Sequence, residues 1–239
     1  MHLLESRIVY YPYLNAGIKI PFSTGTDWGI GDFSRVYVPM EGDVASRPFL
    51  AKLAKGRSFI TNGTFLELDV ASRQPGGTVV LDQPGKVQVR ARAIGRADFQ
   101  SLQLVFNGKV IHEVSRQASG GHFVAALEEM IDISGPGWLA VRIPTVREYD
   151  IRSRFLGSST NILGKTLFAH TSPIYVSVAG RKVFQTAAAK ELIARLQASV
   201  EQIRTKGIFR WADEKRSIIK IYERAISKLV EKIEARGAE

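Results

Sequence analysis

The sequence predicts an α+β fold, because its apolar pattern changes period twice along the chain. The first 60 residues alternate between helical and strand patterns, the stretch from Phe65 to about Arg142 is a series of short alternating segments, and the tail from Phe184 returns to helical spacing. These changes divide the chain into residues 1–64, a β-rich region 65–181 and a helical tail 182–239.

In the first part, Ile8 to Gly17 has apolar and aromatic residues near helical spacing and ends on a glycine suited to the left-handed position after a helix. Ile18 to Ser23 reads as a buried strand, and TGTDWGIGD after it as a loop at that strand's C-terminal end. A short strand, Arg35 to Pro39, a helix from Pro48 to Lys55 ending near Gly56, and a strand, Ser58 to Thr61, complete this part. The alternation is that of an α/β fold, yet 60 residues are too few to close one.

After Asn62-Gly63 the segments 66–70, 78–81, 86–94, 101–106, 109–114, 122–132 and 138–143 supply seven strands bounded by Gly or Pro. Asn107-Gly108 between two of them predicts a type I′ hairpin, whose two central residues both need positive φ. Regular turn spacing with period-two alternation predicts an antiparallel β-sandwich, joined by a late strand over 171–179. In the tail, Leu192, Leu196, Val200 and Ile203, then Ile218, Tyr222, Ala225, Leu229 and Ile233, mark two helices packed as a hairpin, the first closed by Gly207.

Composition excludes several chemistries. The 239 residues include no cysteine, so disulfides, thiolate nucleophiles and cysteine-ligated zinc are ruled out. The N-terminal MHLLESR has no h-region and no run of about 18 apolar residues occurs, which leads us to expect a cytoplasmic chain with no membrane partner. The net charge of +10 raises the question of nucleic acid. From Phe184 onward, however, twelve Lys or Arg stand against eight Asp or Glu, so the excess is spread out and no nucleic-acid partner is expected.

The four histidines, His2, His112, His122 and His170, form neither HxH nor HExxH, and neither GxSxG nor GxxxxGK occurs. His112 and His122 fall on sandwich strands and are set aside. Asp27 is a carboxylate in the Gly-rich loop directly after the first strand, where it suits either a divalent-metal ligand or the cap of a turn.

Several stretches in order, YYPYLNAG, TGTDW, RVYV, GRSFITNG, LVFNGKVI, AHTSPIYV and ADEKRSIIKIYERA, resemble the C-terminal half of CehA/McbA-type metallohydrolases of the PHP superfamily. The resemblance covers nearly the whole chain. It implies that residues 1–64 are the C-terminal remnant of a PHP-type (β/α)7 barrel, followed by the sandwich and the helical hairpin. It also implies divalent Zn, Mn or Fe in the intact enzyme, and an ester, carbamate or phosphoester substrate attacked by metal-bound hydroxide.

Gly25, Thr26 and Asp27 match the family's last metal-binding motif, so Asp27 is the implied metal ligand. Many members place a histidine two positions after that aspartate, whereas this chain has Gly29 there, preceded by Trp28. Asn15, Thr26, Arg35, Asn62 and His170 lie in matching motifs as candidate neighbours that orient the ligand, although anchoring the late strand accounts for His170 equally well. The HxH motif and the remaining ligands belong to a barrel half expected upstream or on another chain, so the expectation is an inactive C-terminal part. The competing expectation is a non-catalytic sandwich that binds carbohydrate or protein.

Overall fold

The structure, a computed structural model, describes residues 9–26, 31, 33–42, 44–144 and 160–237. Among them are two β-sheets and four helices of at least one turn, and no barrel. The expected mixed α+β class with a C-terminal helical pair is present.

The helices are α1 (Tyr11–Asn15), α2 (Ser46–Ala54), α3 (Thr186–Lys206) and α4 (Ala212–Gly237). The first sheet contains β1 (Arg35–Tyr37), β2 (Phe59–Thr61), β4 (Thr78–Leu81), β6 (Ser101–Phe106), β7 (Lys109–Ser115), β10 (Gly137–Ile143), β11 (Ala169–Thr171) and β12 (Ile174–Val178). The second sheet is β3 (Phe65–Val70), β5 (Gly85–Gly95), β9 (His122–Ile133) and β8 (Gln117–Ser119), antiparallel throughout.

Alternation along the strands builds the core between the sheets. Leu66, Leu68 and Val70 of β3 and Val87 and Val89 of β5 meet Leu102 and Leu104 of β6 and Leu139, Val141 and Ile143 of β10. Such face-to-face burial is what stabilises a sandwich. The sandwich is not wholly antiparallel: β12 runs parallel to β4, with Tyr175 opposite Thr78 and Val178 opposite Leu81.

Three local expectations change. The late strand over 171–179 is broken at Ser172-Pro173: it holds the last residue of β11 and all of β12, which lie end to end along β10. Pro173 between them has no N–H to give to a ladder, and the Ser172 N–H turns instead to the Ser58 carbonyl at 2.9 Å. Ile18 to Ser23 is irregular rather than a strand. Pro21 removes one donor, and the Ile20 carbonyl accepts from the Tyr10 hydroxyl at 2.9 Å. Gln117–Ser119, which sequence patterning passes over, forms β8.

The strands β1 and β2, from the first 60 residues, extend the first sheet beyond β11, with Ile60 opposite His170 and Val36 opposite Ile60. On that sheet's outer face α1 packs against Trp138 and Val105, and α3 closes over Ala16 with Ala189 and Leu192. Every residue of β10 is therefore buried, because both of its faces are covered.

Candidate functional site

The outer face of the first sheet carries a polar row. Residues directly opposite one another in a ladder point to the same face, and the registers align Ile60, His170, Arg142, Gln103 and Glu113 across β2, β11, β10, β6 and β7. Their neighbours Val141, Ile143, Leu102, Leu104 and Ala169 face the sandwich core, so the row looks the other way, toward the N-terminal segment.

Hydrogen bonds tie the row together. Arg142 Nε donates to Gln103 Oε1 at 2.9 Å, Gln103 Nε2 donates to Glu113 Oε2 at 3.2 Å, and the Ser101 hydroxyl donates to the same carboxylate. Arg142 and His170 are each 1% exposed. A buried cation is tolerated only with compensating acceptors, which Gln103 helps to supply.

His170 is held at both ring nitrogens. Nδ1 lies 2.6 Å from the Thr171 carbonyl oxygen, which can only accept, so Nδ1 carries the proton. Nε2 then accepts from the Tyr11 hydroxyl at 2.7 Å. Burial, with a smaller repulsion from Arg142, pushes the imidazole pKa down to about 3, so at neutral pH the ring is uncharged.

An aromatic cap covers the His170 end of the row. Phe22 meets His170 edge-on at 5.6 Å between centroids, Tyr10 lies 4.6 Å from Phe22, and Tyr11 lies 4.9 Å from Trp138. Burial raises the Tyr10 hydroxyl far above the ordinary phenol range, an effect increased by Tyr175 and Tyr11.

Asn15, at the end of α1, accepts from Trp138 Nε1 at 2.8 Å and donates to the Asn107 carbonyl at 3.4 Å. It thus shares the cap with His170 through the Tyr11–Trp138 pair. Asn62 follows β2 and bridges a separate segment, donating to the Thr166 carbonyl and accepting from the Phe168 N–H, each at 2.8 Å. Arg35 opens β1 with its guanidinium 4.7 Å from the Phe33 ring centroid and Nη1 3.4 Å from the Ser34 carbonyl. Thr26 is half-buried in irregular chain, four residues after Phe22. Asp27, Trp28 and Gly29 lie outside the described residues.

His170 and Asn15 thus share the aromatic cap, whereas Arg35 opens β1 and Asn62 follows β2. Tyr11, Arg142, Gln103 and Glu113 escaped sequence reasoning. The available signal was Arg142 itself, a cation two and four positions after Ala140 and Trp138 on one apolar strand face. Among the described residues no three His, Asp or Glu gather as a metal site would require. No family model, curated protein or solved structure matches the chain.

Proposed function

We propose that the chain is the C-terminal part of a PHP-type metal-dependent hydrolase of the CehA/McbA kind, that its described residues form the scaffold, and that it has no turnover alone. The family assignment rests on the motif resemblance, and the observation that carries the scaffold role is the state of His170, with Nδ1 given to the Thr171 carbonyl and Nε2 to the Tyr11 hydroxyl. A metal-ligating histidine needs one of those nitrogens free. Asn15 and Asn62 likewise spend their amides on the scaffold. These residues do not fit a divalent ion, and we derive no step of hydrolysis through one. Tyr11, Asn15 and His170 hold the N-terminal segment that leads to Gly25-Thr26 against the sheet, with Phe22 seated on His170, while Asn62 ties the end of β2 to Thr166 and Phe168. Asp27 is the proposed metal ligand, and the other ligands come from a barrel half that bears HxH. The substrate class of the complete enzyme is an ester, carbamate or phosphoester.

The test is metal content and turnover of an activated aryl ester with Mn²⁺ or Zn²⁺, for this chain and for Asp27→Ala, alone and mixed with an HxH-bearing barrel half supplied as a separate polypeptide. The chain alone is expected to show neither stoichiometric metal nor turnover. The mixture is expected to show both, and to lose both with Asp27→Ala. Turnover by the unmixed chain would overturn the scaffold role, and an Asp27→Ala mixture with full metal content would overturn the ligand assignment.

A second reading, an accessory sandwich that binds a ligand, is favoured by one observation: the large rings of Tyr37 and Phe65 remain 44% and 42% exposed at the open edge of the sandwich.

A further inference from the structure

At the edge of the sandwich, where β1 and β2 of the first sheet approach β3 of the second, a cleft of about 290 Å³ opens. Its walls include Tyr37, Phe59 and Phe65, with Arg57, Glu67 and Gln74 also lining it. Tyr37 and Phe59 stack with centroids 5.0 Å apart and planes 6° from parallel. Phe65 stands edge-on to both, at 4.9 Å from Phe59 and 6.2 Å from Tyr37. Phe59 is only 8% exposed and belongs to the core, so the two exposed rings are braced against a fixed third. Exposed aromatic rings held in a fixed array at a concave site mark a binding surface more than a solvated one.

The polar groups narrow the ligand. Arg57 and Glu67 are exposed and take part in none of the ion pairs among the described residues. Together with Gln74 they give the cleft one cation, one anion and one amide, so it offers both donors and acceptors and has no net charge. With one charge of each sign, the cleft has no net charge to attract an ion of either sign. An apolar aryl ligand would cover these three groups without replacing their water hydrogen bonds. A pyranose ring satisfies both demands, with an apolar C–H face for the aromatic wall and hydroxyls that donate and accept. The volume lies at the lower end of ligand pockets, which start at roughly 300 Å³, and suits a single ring.

We infer that the Tyr37–Phe65 cleft binds one neutral saccharide ring, stacked on the aromatic wall and hydrogen-bonded by Arg57, Glu67 and Gln74. This inference rests on the reading of the sandwich as a ligand-binding module and is independent of the metal assay.

The test is saturation-transfer NMR with cellotriose, maltotriose and xylotriose, and with p-cresol as an aryl probe. The proteins are the unaltered chain, Tyr37→Leu, and the exposed-site variants Arg57→Gln and Glu67→Gln, whose folding is checked by circular dichroism. At least one trisaccharide is expected to receive saturation at the protons of one ring. Its affinity is expected to fall tenfold or more in Tyr37→Leu and severalfold in Glu67→Gln or Arg57→Gln. Trisaccharide binding unchanged in all three variants would overturn the location. Binding of p-cresol alone, lost in Tyr37→Leu, would overturn the saccharide class but leave the module reading. If no probe binds, the saccharide inference falls, while the module reading, which includes a protein ligand, stands.

Discussion

Tyr11 and His170 stand 159 residues apart in the chain and meet at 2.7 Å. With Nδ1 committed to the Thr171 carbonyl, the Tyr11 hydroxyl is the donor that satisfies the buried Nε2. Tyr11→Phe removes that donor and leaves a buried acceptor bare, which is expected to cost about 1–3 kcal/mol in urea unfolding. The histidine also makes stability depend on pH. Its folded pKa lies near 3, against 6.5 for an ordinary histidine, so between these values the unfolded chain takes up a proton that the folded chain refuses. The stabilisation is therefore complete above pH 6.5 and is lost progressively as the pH falls toward 3. Unfolding free energy measured across this window is expected to fall with a slope that includes one proton, about 1.4 kcal/mol per pH unit. In His170→Gln that contribution is expected to vanish; an unchanged slope would show that His170 titrates normally in the folded protein.

Turns and registers carry the next level of organisation. The β6–β7 hairpin turns through Asn107 and Gly108 at φ of 51° and 87°, as its two-residue sequence demands. Asn107 does more than turn the chain, since its Oδ1 accepts from the Trp138 N–H at 3.0 Å and its N–H donates to the Trp138 carbonyl at 3.1 Å. The turn is thereby locked to the start of β10 and to α1, and a Cβ on Gly108 would lie 3.3 Å from Tyr11 Cδ2. Gly108→Ala combines a left-handed backbone with this tight approach and is expected to destabilise by about 1–2 kcal/mol. The check is a lower urea midpoint with an unchanged m-value. Equal midpoints would mean that the turn relaxes at no cost. The expected strand over Ile18–Ser23 shows the opposite case, in which apolar residues suit a strand but Pro21 lacks a donor and the Ile20 carbonyl is taken by the Tyr10 hydroxyl.

At the scale of the molecule, the N-terminal segment and the sandwich share packing. Trp138 of β10 is fully buried beneath Tyr11 and donates to Asn15, and β2 belongs to the same sheet as β10 and β11. Loss of the N-terminal segment would therefore expose Trp138 and His170 together. Heating is expected to give one transition, with near-ultraviolet and far-ultraviolet circular dichroism changing at the same temperature. An earlier near-ultraviolet transition would show that the segment detaches before the sandwich melts. No described helix is long and apolar enough to cross a membrane.

The sequence by itself determined the elements whose cause is local. These are the alternating strands with one face in the core, the Asn107-Gly108 turn, the helical tail, and the glycine at 17 with φ of 71°. Each follows from side-chain period or from the conformational freedom of one or two residues. Only the tertiary structure decided which polar residues meet. His170 was legible as a candidate, but its partner Tyr11 and the row through Arg142, Gln103 and Glu113 depend on registers between strands far apart in the chain. The complete burial of β10 has the same origin. A strand's pattern reports that its residues are apolar, whereas the cover on its second face comes from α1 and the chain around it, and no local pattern encodes that contact.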